Sequence, residues 1–335
     1  HVGLNVAADV LYTQSYTGVT GGLVYLVADD PGMHSSQNEQ DTRNHGVGAR
    51  VPVLEPSDSQ EALEYTRAAF EISERFDVPV IIRLTTRISH GKGLVTAGSR
   101  TEVATRPYER DARKYVMMPG NARVRLKDVA ARDEALAAYG STAEVNRAEE
   151  RSQSLGVITS GIAYQYVREA LPEASILKLG LTVPLPAQLI LDFASRVERV
   201  AVVEELDRHL TMRVRALGID VEEVDLPRRG ELSPRIVAEA FGAPPLSRRE
   251  PVDGLPPRPP LLCPGCPHRG LFYALGKVRA VVTGDIGCYT LGTLPPLNGM
   301  DSCVCMGASI GMAHGVALAG SVERPVVAVI GDSTF

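Results

Sequence analysis

No stretch of this sequence stays apolar for the ~20 residues that a membrane-spanning helix needs. The longest apolar runs have the length of a strand and end at proline, glycine or charge. A helical membrane span is excluded, and a soluble protein is expected. Excess positive charge is missing as well: 35 Lys and Arg stand against 40 Asp and Glu, a formal net charge of -5 that gives nucleic acid no electrostatic footing. An initiating Met is also absent, and the residues after His1 form neither a basic n-region nor an apolar h-region. The chain therefore reads as the interior of a longer one. Cysteine is scarce and unevenly placed, with Cys263, Cys266, Cys288, Cys303 and Cys305 all in the last quarter. An odd, clustered set argues against a disulfide framework and for a reducing compartment, so a cytoplasmic location is expected.

What is present is ordinary for a soluble globular protein: 44% hydrophobic and 22% charged residues. A length of 335 residues is too great for one core, and two or three domains are expected. Residues 22–28 form an apolar strand pattern that stops at the turn cluster Asp29-Asp30-Pro31-Gly32. Ser57-Asp58-Ser59-Gln60 caps a helix running to about Phe76, and residues 78–84 make the next buried strand. This order predicts a parallel sheet with crossovers. Residues 85–151 carry few strand signals and read as a crossover followed by a helical linker.

A second alternation predicts strands at 155–159, 176–179 and 200–203 with helices at 162–170 and 186–197. Residues 227–260 are dense in Pro and Arg and read as a linker. The third unit has a helix near 268–276, a strand at 280–283, a helix at 306–319 and a last strand at 326–330. The expected fold class is α/β, with three parallel-sheet domains.

Several motifs could carry chemistry. The last strand delivers Gly331-Asp332-Ser333 to its C-terminal edge, where open α/β sheets hold phosphates and metals. A carboxylate there can ligate Mg²⁺, and a glycine lets a diphosphate approach the backbone; the plainer alternative is a strand leaving through a turn. Met306-Gly307-Ala308-Ser309 opens a helix whose free N–H groups could meet a diphosphate, or whose small residues simply pack closely. Cys263-Pro264-Gly265-Cys266 has the spacing that grips Zn²⁺, an iron–sulfur cluster or a redox disulfide, and Cys288 could add a third sulfur. Otherwise Cys288, Cys303 and Cys305 are small buried hydrophobes. The loop from His34 to Glu39 and the segment Arg87-Ile88-Ser89-His90 both follow strand ends, where function is commonly placed. Glu204-Glu205 reads as a solvated strand end.

Taken together, Ala28-Asp29-Asp30-Pro31-Gly32-Met33-His34-Ser35-Ser36-Gln37-Asn38-Glu39-Gln40-Asp41, Leu54-Glu55-Pro56-Ser57-Asp58, Arg83-Leu84-Thr85-Thr86-Arg87-Ile88-Ser89-His90, Cys263-Pro264-Gly265-Cys266-Pro267-His268-Arg269-Gly270, Gly284-Asp285-Ile286-Gly287-Cys288 and Cys303-Val304-Cys305-Met306-Gly307-Ala308 resemble a family. It is the thiamine-diphosphate-dependent 2-oxoacid:ferredoxin oxidoreductases, and within it the large subunits that act on aryl 2-oxoacids such as indolepyruvate.

The resemblance implies transketolase-like, three-layer domains that bind thiamine diphosphate. Residues 1–95 would be a pyrimidine-binding domain, 96–151 a helical segment, 152–226 a transketolase C-terminal-like domain, 227–260 a linker and 261–335 a diphosphate-binding domain. Asp332 would ligate Mg²⁺, with Gly307, Ala308, Gly331 and Ser333 around the diphosphate and the loop of His34 and Asn38 bordering the substrate. Cys263, Cys266 and Cys288 match cluster cysteines of sister enzymes by position. The implied reaction is oxidative decarboxylation with coenzyme A, a beta subunit and ferredoxin as acceptor, on [4Fe-4S] clusters, in a dimer or heterotetramer. The family's activating Glu falls before His1 and its metal-binding Asn after Phe335, so turnover is not expected of these residues alone. Two rivals remain: a non-oxidative thiamine-dependent decarboxylase or carboligase, and a non-catalytic Zn²⁺-binding scaffold.

Overall fold

Runs of Val, Ile and Leu build the strands, and the polar cluster after each run ends it. In the computed structural model, which describes all residues except 1, 101, 105, 106, 108, 245–251, 321 and 333, the chain forms two units, His1–Arg248 and Arg249–Phe335. The strands of the first unit are Val24–Asp29 (β1), Val53–Leu54 (β2), Val80–Thr85 (β3), Arg147–Glu149 (β4), Ser152–Ser160 (β5), Ala174–Leu179 (β6), Leu181–Val183 (β7) and Val200–Val203 (β8).

They make two four-stranded sheets, ordered β1-β3-β2-β7 and β4-β6-β5-β8. In the first, β1, β3 and β2 run parallel and β7 antiparallel. In the second, β6, β5 and β8 are parallel and β4 is an antiparallel edge. The Ser59–Phe76 helix starts where the Asp58 carboxylate accepts the Glu61 N–H at 2.9 Å, as the capping residues predict. Its Tyr65, Ala69 and Ile72 pack on Val80, Ile81 and Ile82.

Successive residues of the second sheet face opposite ways: Val157 joins one core with Ile176 and Val203, while Ile158 joins another with Leu177 and Val202. That sheet is therefore covered on both sides, which is why its strands read as continuous apolar runs.

Three elements depart from expectation. β7 follows β6 directly but crosses into the first sheet, so the two expected α/β domains are joined in one unit. The Pro/Arg-rich segment is not wholly linker: Pro234–Ala240 is a helix, started by Ser233 and Pro234, and it buries Val237 and Ala238 in the core of the second sheet. The weak segment 85–151 holds the 22-residue helix Pro119–Gly140, in line with the helical segment expected there, but also supplies the strand β4, which was not expected.

The second unit has a parallel sheet, β10-β9-β11, formed by Val281–Gly284 (β9), Ser302–Cys303 (β10) and Val326–Ala328 (β11). The helices Pro267–Lys277 and Ala308–Leu318 accompany it, and Leu262, Phe272, Val282, Tyr289, Met300 and Val329 form its core. No helix among the described residues is long and apolar enough to cross a membrane.

Candidate functional site

In the second unit, β9 is followed directly by Asp285, whose side chain is fully buried. Its carboxylate accepts the N–H groups of Ile286 at 2.8 Å, Gly307 at 3.1 Å and Ser309 at 3.3 Å. Burial pushes its pKa up, but these backbone donors outweigh it and hold the carboxyl below its ordinary range. The N–H groups at the start of the Ala308–Leu318 helix, read from sequence as free for a diphosphate, are therefore engaged; that of Ala308 goes to Cys305 O at 3.1 Å. The sequence hid this because the anion sits 22 residues earlier, at the end of another strand.

Asp332 is exposed on the turn that follows β11. The Gly331 N–H is bonded to the Tyr289 hydroxyl at 3.0 Å, and a Cβ built on Gly307, whose φ is +83°, would meet Thr334 O at 3.6 Å. The two glycine turns are thus neighbours, and the exposed side chain of Asp332 stands on one of them. An exposed carboxylate beside small residues suits a hard divalent cation. Ser333 lies outside the described residues.

Replacing Asp285 with alanine is expected to strand the Gly307 and Ser309 N–H groups at a cost of about 1–3 kcal/mol. Amide hydrogen exchange at those two positions should accelerate at least about tenfold, and unchanged exchange rates would contradict the assignment.

The cysteines do not assemble as the resemblance implies. Among the described residues no group of three or more His, Cys, Asp and Glu side chains could hold a metal ion, so Cys263, Cys266 and Cys288 do not meet as cluster ligands. Nor are the remaining sulfurs buried hydrophobes: Cys288 and Cys305 are exposed and Cys303 is half-buried.

In the first unit, the loop of His34 and the segment of Arg87 do come together. His34 Nε2 lies 3.2 Å from Glu231 Oε2, and the Arg87 guanidinium donates to the same oxygen at 2.9 Å. Asp30 anchors both segments, accepting the Ser35 N–H and the Thr86 hydroxyl at 2.9 Å each. Burial works against its ionisation, but these donors hold its pKa down. Asn38 is exposed and accepts from the Gln40 amide at 2.7 Å. Glu231 belongs to the segment read as linker, and nothing local in the sequence marks it.

Beneath this surface the C-terminal ends of the strands converge on buried charge. Arg83 donates to Asp29 at 2.6 Å and Glu55 at 2.5 Å; Arg43 donates to Asp41 at 2.5 Å and Glu204 at 2.8 Å. The expectation that Glu204-Glu205 is a solvated strand end is wrong. Glu204 also accepts the Leu210 and Thr211 N–H groups at 2.9 Å, opening the next helix. Glu205 is buried, accepts the Leu232 N–H at 2.9 Å, and burial pushes its pKa up to about 7. A charged residue inside the apolar run Val80-Ile81-Ile82-Arg83 was the one sequence signal for this network.

Residues 285–335 match the thiamine pyrophosphate enzyme, C-terminal TPP binding domain family. The fold is similar to a 2-oxoglutarate:ferredoxin oxidoreductase from Magnetococcus marinus with 2-oxoglutarate, coenzyme A and succinyl-CoA bound. The TM-score is 0.52 at 15% identity, over 72% of this chain and 51% of that one. Fold and matched domain together define a mixed α/β protein of the thiamine-diphosphate-binding class.

All of this chain aligns with the indolepyruvate oxidoreductase subunit IorA of Archaeoglobus fulgidus at 40% identity, and with that of Methanothermobacter marburgensis at 42%. Along its whole length the chain is similar to these indolepyruvate oxidoreductase subunits, and it spans 58% and 59% of their respective lengths.

Proposed function

We propose that the full-length protein catalyses the oxidative decarboxylation of aryl 2-oxoacids, indolepyruvate foremost, yielding the aryl-acetyl-coenzyme A and passing the electrons to ferredoxin. The observation that carries this reading is 40–42% identity along the whole chain to subunits named for indolepyruvate. Thiamine diphosphate, when bound, supplies a carbon nucleophile and an electron sink for loss of CO₂.

The contribution of this chain is to hold and orient. Asp332 offers an exposed carboxylate to Mg²⁺, while Gly307, Ala308 and Gly331 give the diphosphate a backbone without bulky side chains. His34 and Asn38 border the substrate on a loop that Asp30 anchors from below. The pyrimidine-binding role is assigned to residues 1–95, the transketolase C-terminal-like role to 152–226 and the diphosphate-binding role to 261–335. A beta subunit, a dimeric or heterotetrameric assembly and a cytoplasmic location complete the reading. The [4Fe-4S] clusters belong to the whole protein, and none is assigned to Cys263, Cys266 and Cys288.

The test uses the full-length protein with its partner subunit. Indolepyruvate should reduce ferredoxin only when coenzyme A is added, and decarboxylation without ferredoxin reduction would point instead to a non-oxidative thiamine enzyme. In calorimetry, Asp332→Ala should weaken Mg²⁺-dependent binding of thiamine diphosphate about 10- to 100-fold, the effect of losing ~1.5–3 kcal/mol of charged contact. Unaltered affinity would remove Asp332 from the site.

A further inference from the structure

The geometry points to Cys263 and Cys266 as a reversible dithiol–disulfide site in which Cys266 is the attacking sulfur. Three observations carry the proposal, and none depends on the reading of the catalytic reaction.

The first is the turn. The Cys266 N–H donates to Cys263 O at 3.1 Å, and Gly265 has φ +76°, so Cys263-Pro264-Gly265-Cys266 closes a β-turn with proline second and a left-handed glycine third. Such a turn brings its end Cα atoms within about 7 Å, and disulfides span about 4.4–6.8 Å between Cα atoms. The backbone already holds the two cysteines at the separation that the oxidised form needs. Both are free thiols in this structure, Cys263 exposed and Cys266 half-buried, so a small oxidant can reach them.

The second is the surroundings of the sulfurs. Cys266 immediately precedes the 11-residue helix Pro267–Lys277, and its Sγ lies 3.3 Å from His268 Nδ1. The Arg269 guanidinium donates to Cys263 O at 3.0 Å and also to Leu262 O. A helix start, an imidazole and a guanidinium thus crowd around one turn, an electropositive setting for a sulfur that attacks. The His268 ring is in turn set against Tyr289, with centroids 5.3 Å apart.

The third is what the turn does not gather. Tetrahedral metal sites and iron–sulfur clusters take four ligands as a rule. Cys288 does not join the pair, and among the described residues no set of three metal-binding side chains forms. Of the three uses open to this spacing, the dithiol is the one that needs no side chain beyond these two cysteines.

The chemistry balances with a small-molecule disulfide as oxidant. Cys266 Sγ attacks one sulfur of that disulfide, giving its proton to His268 Nδ1 and releasing the first small thiolate, which then takes up that proton. Cys263 Sγ attacks the mixed disulfide at Cys266 and expels the second small thiolate, which takes the Cys263 proton. The protein loses two electrons and two protons, and the oxidant becomes two thiols.

The full-length protein with its partner subunit would be equilibrated in buffers of varied reduced-to-oxidised glutathione ratio, quenched in acid, alkylated and digested. Peptide mass spectrometry should show Cys263 and Cys266 losing alkylation together as the buffer becomes oxidising, while Cys288, Cys303 and Cys305 stay alkylated. Cys263→Ser should trap a glutathione adduct on Cys266. His268→Ala should slow formation of the disulfide about tenfold in the otherwise native chain. Full alkylation of both cysteines in the most oxidising buffer would overturn the proposal. So would iron or zinc held by the pair in the purified protein, or the absence of any adduct on Cys266 in Cys263→Ser.

Discussion

Replacing Arg43 with leucine is expected to cost the first unit about 3–5 kcal/mol, because it leaves buried carboxylates without their cation. Arg43 has no exposed surface, and its guanidinium reaches Asp41, Glu204 and the carbonyl oxygens of Glu205 and Asp207 at 3.0 and 3.1 Å. No other side chain here could cover that fork of acceptors. Arg83, the neighbouring cation, is already committed to Asp29 and Glu55. Asp41 shows the coupling directly: burial opposes its charge, yet Arg43 and Arg83 hold its pKa far below the ordinary carboxylate range.

Urea unfolding should therefore show a large fall in midpoint with little change in slope. Arg43→Lys should recover only part of the loss, since one ammonium cannot bridge the planar fork. A double variant, Arg43→Leu with Glu204→Gln, should be less damaged than the two single losses summed, because the stranded charge is gone. A loss under about 1 kcal/mol for Arg43→Leu would show that the network is not what joins these strand ends.

That network also marks the limit of what the sequence discloses. Local rules act over a few residues, and where structure is local they succeed. Residues 200–203 were read as a strand and β8 has those bounds; the cap read at Ser57-Asp58 is made by Asp58. Asp332 could be placed after the last strand for the same reason, since an apolar run followed by Gly-Asp names both the strand and its end.

Arg43 and Glu204 are 161 positions apart, and no spacing rule joins them. Glu231 was lost inside a Pro/Arg-rich stretch whose composition resembles a linker although Leu232, Val237 and Ala238 are core. β7 is three residues long, too short for any periodicity to show that it leaves the sheet of its predecessor. Asp285 was legible only as the flank of a cysteine, because its partners come from a turn that folding brings to it. The strand ends could thus be read as places where chemistry belongs, while the pairing of side chains at those ends could not.

The same convergence yields a second large effect, a pH response in which two buried groups oppose each other. Glu205 feels the charges of Arg83 on β3, Arg43 in the Thr42–Ala49 helix and Glu231, and burial raises its pKa to about 7. Its folded pKa exceeds the unfolded value of about 4.4, so it costs nothing below that value and a growing amount as pH rises toward 7. At ~1.4 kcal/mol per unit the cost at neutral pH and above is about 3 kcal/mol.

His209 has the opposite sign. It is buried beside Arg43, Asp41, Arg213 and Glu55, and burial followed by the Arg43 charge lowers its pKa to about 3. Its contribution is whole above the unfolded value of about 6.5 and is lost as pH falls toward 3, up to ~5 kcal/mol. Between about pH 4.5 and 6.5 the two slopes cancel, and stability should be flat there. Below that window His209 acts with Asp41 and Glu55, both lowered in pKa against burial by their guanidinium neighbours, and stability should fall steeply.

Glu205→Gln should therefore gain about 3 kcal/mol at pH 8, gain nothing at pH 4.5, and start to lose stability near pH 6.5 instead of 4.5. His209→Gln should do the reverse, becoming more stable as pH drops from 7 to 4.5. Chemical unfolding repeated across that range reads both, and curves that run parallel to the parent at every pH would show that neither group titrates in the folded protein.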